Sequence, residues 1–216
     1  MGLVLSHLGL FARGAWVTVE LTMASFAIAF VVGLVVTVCR VSPVPPLRWA
    51  ATAWVELLRN TPLIVLFRIF FFGLPKAGFI VHSPFLSAVI VLSAYTSTFV
   101  AETVRAGVSS VSRGQAEAAR ALGLTFAQTL RIVVLPQALR TVVAPLGSVF
   151  IALIKNSGIA EVIAVIELTS VADSLSSSVG GQPIPAFLGA AAVYLAFGLV
   201  SGAVIGEVER RVAVRR

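Results

Sequence analysis

The chain has 216 residues, 58% of them hydrophobic and only 12% charged, with a mean hydropathy of +1.02. Soluble domains carry roughly twice that share of charge, so a lone water-soluble globule and a disordered chain are both excluded. The net charge of +7 would suggest nucleic acid in a soluble protein, but in so apolar a chain it is first a matter of membrane topology.

Long apolar runs such as Phe26–Cys39 and Ala88–Leu92 lack the strict alternation of barrel strands, so a helical bundle is expected. The first span reads Trp16–Cys39, with Glu20 as its one charge, and is ended by Arg40 and Ser42-Pro43-Val44-Pro45-Pro46. Because His7 and Arg13 interrupt the stretch before it, no cleavable signal is expected there. The lone cysteine, Cys39, excludes an intrachain disulfide and a cysteine-based metal site, and reads as a packing residue. Leu47–Leu58 is amphipathic; Asn60-Thr61-Pro62 interrupts it and Leu63–Leu74 follows, too short to cross alone, so the two are expected to form one kinked second span.

A third span runs from Pro84 to about Val108, then a polar helix–turn–helix over Ser109–Gln128, then a fourth span over about Leu139–Ile154 with Pro145 inside. Between Lys155 and Gln182 the pattern predicts a short helix around Ile159–Leu168 and a Ser/Gly-rich stretch at Ser174–Gly181. A fifth span covers about Pro185–Ile205. The fold class is thus all-α and integral to the membrane, with five spans. With the N-terminus outside and the C-terminus inside, the inner face receives Arg40, Arg48 and Arg59, then Arg105, Arg113, Arg120, Arg131 and Arg140, and finally Arg210, Arg211, Arg215 and Arg216. The outer face receives only Arg13, Lys76 and Lys155. That asymmetry orients the bundle N-out/C-in and accounts for most of the net charge without nucleic acid. No internal repeat is present, which argues against a complete secondary transporter in one chain.

The segment of about 109–136 carries most of the chemistry. Glu117–Leu122 is a short Ala-rich helix, Gly123 suits its left-handed end, and a second helix, Thr125–Val134, is expected to stop at Pro136. The unit is apolar enough to dock in a groove on another protein, with Glu117 and Arg120 at its rim. Glu117-Ala118-Ala119, three residues, Gly123, nine residues, Val133, one residue and Leu135-Pro136 resembles the coupling-helix signature of ABC importer permeases; Val133 stands where Ile is usual. Val55-Glu56-Leu57-Leu58-Arg59-Asn60-Thr61-Pro62-Leu63, Phe99-Val100-Ala101-Glu102 and Leu135-Pro136-Gln137-Ala138-Leu139-Arg140 resemble the polar amino-acid permeases of that family. Arg40-Val41-Ser42-Pro43, Tyr95-Thr96-Ser97, Gly114-Gln115-Ala116-Glu117 and Ile154-Lys155-Asn156-Ser157 are most similar to actinobacterial glutamate permeases.

The resemblance implies a permease domain over residues 1–216, of the MetI-like core, multi-pass in a bacterial inner membrane. It implies an ATPase-coupling set of Glu117, Ala118, Ala119, Arg120 and Gly123. The implied partners are two cytoplasmic ATPase subunits, an extracytoplasmic substrate-binding protein and a second permease subunit, a homologue or a second copy of the chain, with the glutamate-type motifs tilting toward a heterodimer. The chain has no Gly-x-x-x-x-Gly-Lys loop, so it is not expected to be an enzyme; ATP is used by the partners and no cofactor or metal by this chain.

The candidate substrate-contacting set is Arg68, Tyr95, Thr96, Thr98, Lys155, Asn156 and Ser157. Arg68, among phenylalanines, is either a counter-ion for an anionic substrate group or a partner of Glu20, Glu56 or Glu102, or it snorkels to an interface. The break at Lys155-Asn156-Ser157-Gly158 either frees N–H groups for a substrate carboxylate at the next helix start or is an ordinary helix end. Glu102 is expected to pair with a neighbouring arginine, and Glu20 to be buried and bonded to a facing helix. Gly198, Gly202 and Gly206 suit close packing, within the chain or across a permease dimer. Basic-amino-acid permeases of the family often carry acids where this chain has Val149 and Asn156, so an acidic or neutral polar amino acid, glutamate foremost, is favoured. The rival readings are an ATP-independent channel or half-transporter, a structural subunit with no substrate path, and a permease for a basic amino acid.

Overall fold

The computed structural model describes residues 4, 6–125, 128–178 and 183–212, and among them every regular element is helical. Among the described residues four helices are long and apolar enough to cross a membrane, which gives up to five spans if one sharply bent pair counts as one.

Helix α1, Leu8–Val41, is 34 residues long, about 51 Å at the usual rise and longer than the span expected at Trp16–Cys39. Its buried stripe is largely small: Thr18, Thr22, Ser25, Ala29, Gly33 and Thr37. A hydroxyl can enter such a stripe because the helix itself accepts its proton. Thr18 donates to the Gly14 carbonyl, Thr22 to Thr18 and Thr37 to Gly33, each one turn back. The opposite face keeps Trp16, Met23, Val31, Val35 and Val38 outward, as an oily solvent demands.

Helix α2, Pro45–Arg59, is followed by α3, Leu63–Arg68, whose course continues through a π-helical turn at Ile69–Gly73 and a 3₁₀ turn at Leu74–Ala77. The kink expected there is sharp, a bend of 103°. Pro62 has no N–H to continue the ladder and bars its predecessor from helical backbone. Asn60 also closes α2 by donating its side-chain amide to the Glu56 carbonyl. Pro84–Ser109 forms α4, started by Pro84 and by the Ser83 hydroxyl accepting the Leu86 N–H. It lies parallel to α1: the Ser93 hydroxyl donates to the Ser25 carbonyl and the Thr37 hydroxyl to Ala101.

After α5, Arg113–Ala121, a π-helical turn at Thr129–Val134 runs directly into α6, Leu135–Asn156. Pro136 therefore opens a helix rather than stopping one, because the first helical turn does not need its N–H. Helices α4 and α6 are antiparallel and very close: a Cβ on Gly107 would lie 2.1 Å from Val142 Cγ1. A 3₁₀ segment, Ser157–Ile163, replaces the short helix expected at Ile159–Leu168. Helix α7, Leu168–Ser178, takes in Ser174–Ser178 of the Ser/Gly-rich stretch, and residues 179–182 lie outside the described residues. The last helix, α8, Pro183–Val212, exceeds the expected Pro185–Ile205 at both ends.

The principal core gathers Leu21, Phe67, Leu92, Leu153 and Ile163 where α1, α3, α4 and α6 meet. A second cluster, Phe11, Leu168, Ala172 and Ala186, ties α7 to α1 and α8. Cys39 packs beside a third, Val36, Ala51, Val55 and Ala101. Gly198 and Gly206 have nothing within 4 Å of where a Cβ would stand, so at those two positions intrachain packing does not explain the small residue.

Candidate functional site

Two features answer to the candidate residues: a groove along α4 and α6, and a knuckle at the end of α5.

Positions 95, 96 and 99 of α4 are spaced to share a helix face. Tyr95, Thr96 and Phe99 line a cavity of about 230 Å³, closed from α6 by Ser148, Val149 and Asn156 among others. Tyr95, Thr96 and Asn156 of the expected set are thus brought together, and no Asp or Glu lines the cavity among the described residues. The rest of the set lies elsewhere. Thr98 is fully buried and donates to the Tyr95 carbonyl at 2.7 Å. Ser157 is fully buried and donates to the Ile154 carbonyl at 2.7 Å. Lys155 is exposed, and so is Arg68, whose side chain forms no hydrogen bond or ion pair among the described residues.

The acids proposed for Arg68 are engaged elsewhere. Glu20 is exposed rather than buried, and accepts from Trp16 Nε1 of its own helix at 2.7 Å rather than from a facing one. Such an i,i+4 partner makes a facing helix unnecessary. Glu56 accepts from Asn60 at 3.0 Å. Glu102 pairs as expected, with two arginines: Arg40, which joins α1 to α4, and Arg105 at 2.7 Å. Below the first cavity along the same helices lies a larger one of about 470 Å³, lined by Arg59, Glu102, Thr103, Gly107, Thr141 and Pro145 among others.

The expected carboxylate-binding helix start is already filled. The next α-helix after the break begins at Leu168, and the carboxylate at its N-terminus is the chain's own Glu167, fully buried. Its Oε1 accepts the Ser170 N–H at 2.9 Å and its Oε2 the Tyr194 hydroxyl at 2.7 Å; the Leu168 N–H is taken by Thr18 Oγ1. Burial pushes the Glu167 carboxyl above the ordinary carboxylate range, against the lowering pull of the Thr169 and Ser170 N–H groups and the Tyr194 hydroxyl. Nothing local in the sequence marks Glu167. Phe99 was legible, one helical turn beyond Tyr95.

At the knuckle, Gly123 has φ +87°. The Leu124 N–H returns to the Ala119 carbonyl and the Gly123 N–H to Arg120, a Schellman closure. The next turn opens with a reciprocal capping box: Thr125 N–H donates to Gln128 Oε1 at 2.8 Å, and Gln128 N–H to Thr125 Oγ1 at 3.3 Å. Of the expected coupling set, Ala119 is buried, while Glu117, Ala118, Arg120 and Gly123 are exposed beside Leu122, 84% exposed. Neither Glu117 nor Arg120 has a side-chain partner among the described residues. A turn closed by two backbone hydrogen bonds, with one apolar side chain and two charges exposed on it, is suited to insertion into a partner's cleft.

Residues 22–214 match the family described as binding-protein-dependent transport system inner membrane component. The chain is 41% identical over 212 residues, 93% of each chain, to the glutamate transport system permease protein GluC of Corynebacterium glutamicum. It is 40% identical over 178 residues, 82% of each chain, to the probable glutamine ABC transporter permease protein GlnM of Bacillus subtilis. Among solved structures, an amino acid ABC transporter with histidines superposes at a TM-score of 0.91 with 33% identity over 96% of both chains. The inward-facing MetNI methionine ABC transporter, at 0.79 and 23% identity over 96% of this chain and 98% of that one, shares the fold.

Proposed function

The chain belongs to the family of inner membrane components of binding-protein-dependent transport systems, and on that premise we propose that its cargo is an acidic or neutral polar amino acid, glutamate or glutamine foremost. It is a multi-pass inner-membrane permease of an amino-acid ABC importer, and not itself an enzyme. We take residues 1–216 as one permease unit, N-out/C-in, with the bent α2–α3 pair as its second span. The arginines at the ends of α1, α4 and α8 support that orientation.

The observation that carries the cargo reading is the groove beside Tyr95, Thr96 and Asn156. Its described lining includes no carboxylate, so a cationic side chain would be desolvated there without a counter-charge. The groove is open along one side and so suits completion by a second permease subunit. In our reading two ATPase subunits grip the knuckle at Glu117–Gly123, bind and hydrolyse the ATP, and move α5 as a rigid body against α6; an extracytoplasmic binding protein delivers the amino acid. The test is competition for ATP-driven uptake of labelled glutamate. Glutamate and glutamine are expected to compete; arginine as the best competitor overturns the cargo reading. A basic cargo is the second reading, favoured by the histidine-named structure at 33% identity.

A further inference from the structure

The two cavities along α4 and α6 are separated by one unusual contact. Arg59, the last residue of α2 before the 103° break, holds its guanidinium 5.5 Å from the centroid of the Phe99 ring. That ring packs in turn on Tyr95, with centroids 5.1 Å apart. Phe99 lines the 230 Å³ cavity and Arg59 the 470 Å³ one. On α4, Tyr95 and Phe99 give way one turn later to Thr103, and then Ala106 and Ser110, which line the lower cavity. On α6, Ser148 and Asn156 above give way to Pro145 and Thr141 below. The ring and the guanidinium therefore stand between the two cavities, which follow one another along the same pair of helices.

The charge on Arg59 has no carboxylate partner among the described residues. Glu102, on the wall of the same cavity, is already held by Arg40 and Arg105, and Glu56 by Asn60. A guanidinium resting on a ring face is in a weaker arrangement than one gripping a carboxylate with two parallel hydrogen bonds.

We propose that Arg59 and Phe99 form a latch across the groove, and that the side-chain carboxylate of an acidic cargo releases it by drawing Arg59 off the ring. The cargo part rests on the glutamate reading above; the latch itself does not. Arg59 thus meets the cargo directly, and its place at the end of α2 lets a small change at the break move it.

The experiment uses the whole transporter, with its ATPase and second permease subunit, in proteoliposomes. In a Cys39→Ser background, Ala152→Cys, at a half-buried position of the upper cavity, reports that cavity and Ser110→Cys the lower. A membrane-impermeant maleimide is applied from the face that bears Ser110, and labelling is read on this chain by mass spectrometry. With the latch intact, position 152 is expected to label slowly; Phe99→Ala and Arg59→Gln are each expected to speed it by about two- to fivefold, the strength of a cation–π contact whose arginine is exposed. Position 110 is expected to label at one rate in all variants, which identifies any variant that has misfolded. Parent-like labelling of position 152 in Phe99→Ala and Arg59→Gln, each with position 110 unchanged, overturns the latch. L-glutamate is expected to speed labelling of the parent but not of Arg59→Gln, whereas equal acceleration by L-glutamine overturns the carboxylate trigger. Failure of the parent to take up glutamate removes the cargo reading while leaving the labelling test of the latch intact.

Discussion

Single residues fix this bundle where they answer a buried polar demand. Glu167 is the clearest case, since one carboxylate caps α7 and holds the Tyr194 hydroxyl of α8, with Thr18 of α1 at 3.5 Å. Glu167→Ala would orphan the Ser170 N–H, at a cost of about 1–3 kcal/mol for the buried group, and would leave the Tyr194 hydroxyl with the Thr169 hydroxyl alone. A clear fall in the melting temperature of the detergent-solubilised complex is expected, with Glu167→Gln, which keeps an acceptor, much nearer the parent. Equal melting of Glu167→Ala and parent would count against the cap. The sign of its pH dependence follows from burial. Because the carboxyl is raised in the folded state, its contribution to stability is complete below the unfolded value of ~4.3 and is lost as pH rises through the folded value. Glu167→Gln is expected to flatten that slope in melting curves taken across acidic to neutral pH.

Among the elements, the knuckle was the most legible from sequence, because its instructions are local. Ala-rich helix, glycine and capping threonine lie within a dozen positions or so, and each makes the bond its chemistry requires. What Gly123 supplies is backbone freedom: a Cβ there meets nothing within 4 Å, but φ is +87°. Gly123→Ala is expected to strain the turn by about 1–2 kcal/mol and lower ATP-driven uptake while membrane insertion is unchanged. Gly123→Asn, which tolerates the left-handed region, should recover more of the uptake than Ala. The same uptake in both variants would show that the conformation is not what coupling needs. Leu122→Glu addresses the exposed tip instead, and should reduce co-purification of the ATPase subunit without changing α5, as read by circular dichroism. Undiminished co-purification would move the docking surface elsewhere. The second span was the least legible, since Asn60-Thr61-Pro62 announces an interruption but not a turn of 103°. That angle comes from α2 packing across α1 and α4 while α3 follows the Leu92 core.

For the whole molecule, sequence alone determined that the chain dissolves in a bilayer, that it does so as helices, and that it carries a helix–glycine knuckle. Each of these follows from composition or from residues within a few turns of one another, where hydropathy and backbone preference act without any partner. The same reasoning named Tyr95, Thr96 and Asn156, and named Thr98 and Ser157 beside them, because it saw residue types but not the direction each side chain takes. Only the tertiary structure decided that the first three face one groove while the other two turn into the packed interior. It also decided that Glu102 is shared by two arginines, leaving Arg59 to rest on Phe99. Thr18 and Glu167 stand 149 positions apart, and contacts of that kind exist only once the helices have packed, so no stretch of neighbouring residues can encode them by itself.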